Sequence, residues 1–165
     1  MDRWRGRHLA GLAVVVLLLG LTAAVAARDG GDRWIVVRDA TGAELTRAVL
    51  PATGEFAMRY RNSVYESLAE EHFQVTGDHL SLVGLRSDEL AVLEEYYTAV
   101  GAWHSAGPRA WSIAVERPPI ALPLRVQGTE LGQRTLMTEA GEIELWRLVA
   151  GRDDTLVILS VEPAE

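Results

Sequence analysis

The sequence contains neither cysteine nor lysine. Without cysteine there is no thiolate nucleophile, no disulfide, no Cys-ligated zinc or iron–sulfur cluster, and no thiol to carry a lipid. Without lysine there is no Schiff-base amine and no P-loop lysine. All 16 basic residues are therefore arginines, and 23 acidic residues give a net charge of −7. We expect no nucleic-acid partner, because binding to a phosphate backbone depends on a basic stripe that this sequence lacks.

The first 27 residues have the pattern of an export segment. Three arginines precede an uncharged stretch, residues 9–27, that ends with the small residues Ala24-Val25-Ala26. These are the parts of a secretory signal peptide, but 19 apolar residues are also long enough to cross a bilayer as an uncleaved anchor. In both cases the basic flank stays in the cytoplasm. We therefore expect residues 28–165 to form one extracytoplasmic domain, either secreted or anchored to the cell membrane.

The exported part shows the pattern of an all-β domain. Without residues 1–27 the chain loses three arginines and one aspartate, which leaves 13 basic and 22 acidic side chains and a net charge of −9. From residue 33 onward, short apolar and β-branched runs are separated by turn signals about every ten residues, which is typical of all-β proteins. The predicted strands are residues 34–37, 44–50, 56–60, 70–75, 80–85, 110–116, 122–126, 134–138, 142–149 and 155–161.

One segment departs from this pattern and predicts a helix of about ten residues. Ser87 is a suitable N-cap, two acidic residues follow it, and apolar residues from Leu90 to Tyr97 recur at helical spacing. Residues 98–108 are predicted to be a long loop. We expect the nearby aromatic residues to pack between helix and sheet more than to line a pocket: Tyr96, Tyr97, Trp103 and Trp111. After an N-terminal apolar targeting helix, the chain should form an antiparallel β-sandwich or barrel of about nine or ten strands with one short helix.

The densest polar cluster lies in residues 59–72. Arg59 and Arg61 fall on one face of the predicted strand, and two guanidinium groups on one face can clamp a carboxylate through bidentate hydrogen bonds. The same arginines are equally suited to pairing with Glu70 or Glu71 on the neighbouring strand. The sequence leaves both interpretations open.

Ser63 offers a catalytic interpretation of the same cluster. It would act as a nucleophile if His72 or His104 lay within about 3 Å and if Glu71 oriented that imidazole. The surrounding residues do not form the Gly-x-Ser-x-Gly elbow of serine hydrolases. A polar strand end is therefore the simpler interpretation of Asn62 and Ser63.

Metal ligands are sparse. The sequence has four histidines, and one of them lies in the export segment. Glu70 and His72 share a strand face, and His79 lies near them across a predicted hairpin, but no longer set of ligands appears. We therefore expect no metal site and no cofactor.

Part of the chain resembles a family of small exported proteins, the domain of unknown function numbered eighteen-fifty. The family's pattern is Tyr-x-His-Ser-Val, then a Thr-Pro or Ser-Pro step, then Glu-x-Tyr or Glu-x-Phe. The matching residues are Tyr60, Ser63, Val64, Ser67, Glu71 and Phe73, and the later segments 122–126, 135–136 and 141–145 also look like the family's C-terminal half. Asn62 occupies the usual His position and Leu68 the usual Pro position. The resemblance covers most of residues 33–162.

Members of that family often occur beside TAXI-type TRAP transporter components, so the resemblance implies an exported β-domain with a transport-linked role and no established reaction. We expect a non-enzymatic accessory domain that binds a transporter component or a small organic acid. The predicted binding residues are Arg59, Arg61, Asn62, Ser63 and Glu71. The alternatives are a serine-type hydrolase that uses Ser63 and a structural envelope protein.

Overall fold

The computed structural model describes residues 33–97, 102–104, 107–115 and 117–164. The predicted export segment lies outside these residues, so the division into residues 1–27 and 28–165 stays a prediction. No helix within the described ranges is long and apolar enough to cross a membrane.

The described residues form twelve strands and two helices. In chain order they are β1 (Arg33–Asp39), β2 (Glu44–Leu50), β3 (Glu55–Arg61), β4 (Leu68–Thr76), β5 (His79–Ser87), α1 (Leu90–Tyr97), β6 (Trp103–His104), β7 (Trp111–Ala114), β8 (Ile120–Ala121), β9 (Leu124–Gln127), β10 (Thr135–Thr138), β11 (Gly141–Glu144), α2 (Leu145–Leu148) and β12 (Leu156–Pro163). The count exceeds the predicted nine or ten strands, because two-residue strands such as β6 and β8 are too short to show alternation in the sequence.

The strands form two antiparallel sheets of unequal size. The smaller sheet has the order β2-β1-β12-β9, and the larger has the order β11-β10-β3-β4-β5-β7-β6, with β8 also paired to β5. Every pairing is antiparallel. The predicted all-β, antiparallel class is therefore confirmed, and the arrangement is sandwich-like.

A single core lies between the two sheets. β1 of the smaller sheet contributes Ile35 and Val37, and β3 of the larger sheet contributes Phe56 and Met58. These side chains alternate with residues on the outer faces, as expected for strands that bury one side. The phenyl rings of Phe56 and Phe73 stack within this core, with centroids 5.3 Å apart.

Two helical segments pack against the larger sheet, α1 against β5 and α2 against β10. The helix predicted after Ser87 is present as α1, but Ser87 ends β5 and the helix begins only at Leu90. The Ser87 hydroxyl accepts a hydrogen bond from the Glu89 amide at 3.1 Å, so it stabilises the turn before the helix and does not occupy the predicted N-cap position. The predicted strand 142–149 is wrong in its second half, because the chain leaves β11 after Glu144 and forms α2. Leu145 and Val149 are fully buried, and a spacing of four residues puts both on one side of a helical turn. Their apolar pattern fits a strand equally well, so the sequence alone did not distinguish the two.

Candidate functional site

A cavity of about 440 Å³ lies between β9 and the inner face of strands β3, β4 and β5. It follows from the unequal sheets, because β9 is an edge strand and four strands cannot cover the inner face of the larger sheet. The end of α1 and the chain that leads into β8 also contribute to its lining. We call this space the inter-sheet cavity.

The floor of the inter-sheet cavity is apolar and continuous with the core. Met58 and Leu80 are each 1% exposed, and both belong to the core cluster. The floor residues are Met58, Phe73, Leu80, Leu82, Leu124 and Val126. A ligand that enters this space therefore meets hydrocarbon on the core side.

The rim of the cavity is polar and carries a positive charge. The charged side chains at the rim are Arg117, Arg134 and Glu71. Arg125 also borders the cavity, but it alternates along β9 with Leu124 and Val126, which pack against the core, so its side chain lies on the outer face of the smaller sheet. Two arginines and one glutamate give the rim a net charge of +1, although the described protein is acidic as a whole. The excess positive charge is the feature of this cavity that most clearly favours an anionic ligand.

Tyr97 connects the rim to the larger sheet. Its hydroxyl donates a hydrogen bond to Glu71 Oε1 at 2.7 Å and lies 2.9 Å from the hydroxyl of Tyr60. Because a phenol has one proton, Tyr60 donates to Tyr97 while Tyr97 donates to the carboxylate. Burial raises the pKa of Tyr97, and the negative charge of Glu71 raises it further. Tyr97 therefore stays protonated and acts as a donor near neutral pH.

The two rim arginines have different contacts. Arg134 lies 3.5 Å from Glu71 Oε2 and 5.1 Å from the centroid of the Tyr60 ring. Arg117 donates a hydrogen bond to the backbone oxygen of Tyr97 at 2.9 Å. A guanidinium group has five N–H donors, so Arg134 offsets the charge of Glu71 while both arginines retain donors for a ligand.

A second cavity, of about 420 Å³, adjoins the first. The two share Tyr97, Gln127 and Arg134 in their linings. Its other lining residues are Tyr60, Arg61, Asn62, Ser63, Tyr96, Thr129, Leu131 and Gly132. The aromatic residues Tyr96 and Tyr97 therefore contact cavities at the end of α1, whereas the sequence favoured a packing role for them.

Of the predicted binding residues, Glu71 alone lines the inter-sheet cavity. Arg59 lies on the opposite face of β3 and makes a bidentate ion pair with Glu142, at 2.9 and 2.5 Å. Arg61 lies 3.4 Å from Glu66. The structure therefore does not bring Arg59 and Glu71 together, because neighbouring positions on paired strands alternate between faces.

Glu70, the cross-strand neighbour of Arg59, has other partners. Its carboxylate is 4% exposed, forms an ion pair with Arg109 and lies 3.3 Å from His72 Nε2. Burial by itself raises the pKa of Glu70, but the contact with His72 and the charge of Arg109 outweigh burial and lower that pKa. The predicted pairing of Arg59 with Glu70 or Glu71 is thus replaced by the pairing with Glu142.

Asn62 and Ser63 form a turn at the end of β3. The buried Asn62 side chain accepts hydrogen bonds from the amides of Val64 and Tyr65, both at 3.0 Å. This is an Asx turn, in which the side chain replaces a backbone acceptor. Asn62 therefore stabilises the chain reversal, and Ser63 is exposed on it.

The structure does not assemble the catalytic arrangement considered for Ser63. His72 lies on the outer face of β4 beside Glu70, and the imidazole of His104 packs edge-on against Trp111 with centroids 4.7 Å apart. Within the described residues, Ser63 makes no hydrogen bond with a histidine. The same part of the chain contains no group of three or more His, Asp or Glu residues that could hold a metal ion.

The rim arginines are the residues that sequence reasoning missed. Arg117 lies in a predicted turn and Arg134 at the start of a predicted strand, so no regular spacing connects them. Only the folded chain brings them to one rim. Comparisons of this chain with known protein families, with curated proteins and with solved structures find no match.

Proposed function

We propose that this protein is a non-enzymatic, extracytoplasmic domain that binds a small organic acid in the inter-sheet cavity. The observation that supports this most is the combination of an apolar floor with a rim of two arginines and one glutamate. Small-molecule sites are concave and mostly apolar, with a few polar groups that fix the orientation of the ligand. A cavity of about 440 Å³ is within the usual size range for such sites.

The rim supplies the groups that carboxylate recognition needs. Arg117 and Arg134 each present a planar guanidinium group, and such a group matches a carboxylate through two parallel hydrogen bonds. Glu71 does not cancel this attraction, because Tyr97 and Arg134 already contact its carboxylate. The contact between Arg117 and the Tyr97 backbone also limits the freedom of the Arg117 side chain before a ligand arrives.

The sequence pattern and the family resemblance support the cellular context of this proposal. Residues 1–27 export the domain, which is either released or remains anchored to the membrane through residues 9–27. There it acts as an accessory to a transporter component of the TRAP type, as the resemblance implies. Affinity purification from native membranes tests this part: recovery of a transporter component supports the accessory role, and recovery of the protein alone contradicts it.

Calorimetric titration tests acid binding directly. The full chain is reconstituted in nanodiscs, because detergent monomers would compete for the apolar floor, and it is titrated with mono- and dicarboxylates of two to ten carbons. At least one acid should bind, and Arg117→Gln should weaken its binding by about tenfold or more, as expected for loss of a charge-assisted hydrogen bond.

Arg59→Gln is the matched control for that variant. It also removes one arginine charge, but from the outer face of β3, where Arg59 pairs with Glu142. We expect unchanged acid binding in Arg59→Gln. A loss of binding in Arg59→Gln together with full binding in Arg117→Gln would move the site to the residues predicted from the sequence and refute the inter-sheet cavity.

A further inference from the structure

Resting on the proposed function, we infer that the ligand is a monocarboxylic acid with an apolar chain of medium length. The chain lies on the floor of the inter-sheet cavity, and the carboxylate lies at the rim between Arg117 and Arg134. The inference names the chemical class of the acid from the distribution of polar groups in the cavity.

The floor of the cavity disfavours acids that carry a polar group at the end opposite the carboxylate. Its six side chains are all hydrocarbon or thioether, and they carry no hydrogen-bond donor or acceptor of ordinary strength: Met58, Phe73, Leu80, Leu82, Leu124 and Val126. A second carboxylate or a hydroxyl placed there would lose its water without gaining a partner, which is strongly unfavourable. Dicarboxylates and sugar acids are therefore poor ligands for this space.

The rim determines the orientation and charge of the ligand. Arg134 makes one contact of 3.5 Å with Glu71, and Arg117 makes one hydrogen bond with a backbone oxygen, so both guanidinium groups retain donors to neutralise a ligand. One carboxylate matches two guanidinium groups well, because its two oxygens offer about four acceptor sites. An uncharged amide of the same length gains none of the charge-assisted hydrogen bonds.

The size of the cavity limits the length of the chain. At roughly 30 Å³ for each water-sized group, the space of about 440 Å³ holds up to about fifteen non-hydrogen atoms. This corresponds to an acid of up to about twelve carbons and is too small for a phospholipid with two long acyl chains. A free acid and a phospholipid both have an anionic head and an apolar chain, and the experiment distinguishes them.

The test is a homologous series, measured by calorimetry on the full chain in nanodiscs of zwitterionic lipid, with empty nanodiscs as the blank. The dissociation constant should fall by about fourfold for each added methylene from butanoate to about dodecanoate, and then level off. Octanedioate and octanamide should each bind at least about tenfold more weakly than octanoate. Dilauroyl phosphatidylglycerol added to the nanodiscs should not compete with octanoate.

Two variants distinguish the contribution of the ligand's apolar chain from that of its carboxylate. Leu82→Phe narrows the floor, so the dissociation constants should level off at a shorter chain. Arg117→Gln should weaken the binding of every acid by the same factor and leave the dependence on chain length unchanged. If Leu82→Phe fails to fold by circular dichroism, Leu124→Phe makes the same change from β9.

The outcomes distinguish this inference from the proposed function. If no acid binds, or if octanamide binds as tightly as octanoate, the proposed function itself fails. If acetate or octanedioate binds as tightly as octanoate, acid binding stands and the apolar-chain inference is refuted. Competition by the phosphatidylglycerol would also refute it, because the ligand would then be a lipid headgroup and not a medium-chain acid.

Discussion

At the residue scale, the hydrogen bonds of Tyr97 organise the rim of the inter-sheet cavity. Its hydroxyl lies between Tyr60 on β3 and Glu71 on β4, so one phenol connects α1 to two strands. Burial keeps this phenol protonated, since its pKa is raised. The Glu71 carboxylate is mostly buried and accepts this hydrogen bond, so it is held in one position. It therefore does not move to compete with a ligand for the rim arginines.

Tyr97→Phe should therefore destabilise the protein by about 1–2 kcal/mol, because the Glu71 carboxylate loses its phenolic donor. Urea denaturation measures this change. Tyr65→Phe is the control, since Tyr65 also donates to a carboxylate, that of Glu95, but at an exposed site. We expect a smaller effect there, and equal destabilisation in the two variants would contradict the role given to Tyr97.

Gly54 illustrates a backbone requirement at the turn before β3. It has a φ of +76°, and a Cβ atom there would lie 2.8 Å from the backbone oxygen of Val75. Gly42 also has a positive φ, of +88°, but a Cβ atom there meets nothing within 4 Å. A comparison of alanine substitutions at Gly54 and Gly42 therefore separates the free-energy cost of the left-handed conformation from the cost of a steric clash.

Gly42→Ala should destabilise the protein by about 1 kcal/mol through its conformation alone. Gly54→Ala should cost about 1–3 kcal/mol more, because the β3–β4 contact must also shift. Thermal denaturation of the two variants tests this difference. Equal melting temperatures would show that the turn adjusts without strain at Val75.

At the element scale, β1 and β12, the two central strands of the smaller sheet, are joined by side-chain contacts as well as by backbone hydrogen bonds. Arg38 on β1 makes a bidentate ion pair with Glu162 on β12, at 2.5 and 3.1 Å. The hydrogen bond from Arg38, followed by that from Ser160, lowers the pKa of Glu162 to about 2. A carboxylate whose pKa is lower in the folded protein stabilises the folded state at pH values above its ordinary pKa. This contribution is lost as the pH falls toward the lower pKa of the folded state.

Stability should therefore fall between about pH 4.5 and pH 2 more steeply in the wild type than in Glu162→Gln. The measurement is the denaturation midpoint at several pH values across this range. Glu55→Gln serves as the control, because the Glu55 carboxylate has no partner within the part of the chain that the structure describes. Parallel pH profiles for the wild type and Glu162→Gln would contradict the stabilising role of this pair.

Elements also show where sequence patterns were sufficient. The period of two in residues 56–60 predicted β3, and the N-cap at Ser87 predicted α1, because both signals are local. The apolar run around Leu145 fitted both a strand and a helix, and burial against the core decided for α2. Local patterns were thus informative where one periodicity dominated.

At the scale of the whole molecule, the candidate site depends on sheet topology. Residues 59–71 form a dense polar cluster in the sequence, but the strands divide it between two faces, with Arg59 outside and Glu71 inside. The charges that join Glu71 come from Arg117 and Arg134, which are distant in sequence. The part of the larger sheet that the smaller sheet leaves uncovered depends on strand pairings between distant segments, so the sequence could not place this site.

The most direct test of the central claim is a heteronuclear NMR titration of the protein with octanoate. The account predicts that the largest chemical-shift changes occur at the inter-sheet cavity, in β9 around Val126 and at Tyr97. Changes centred on Arg59 at the outer face of β3, or an unchanged spectrum at saturating octanoate, would contradict it.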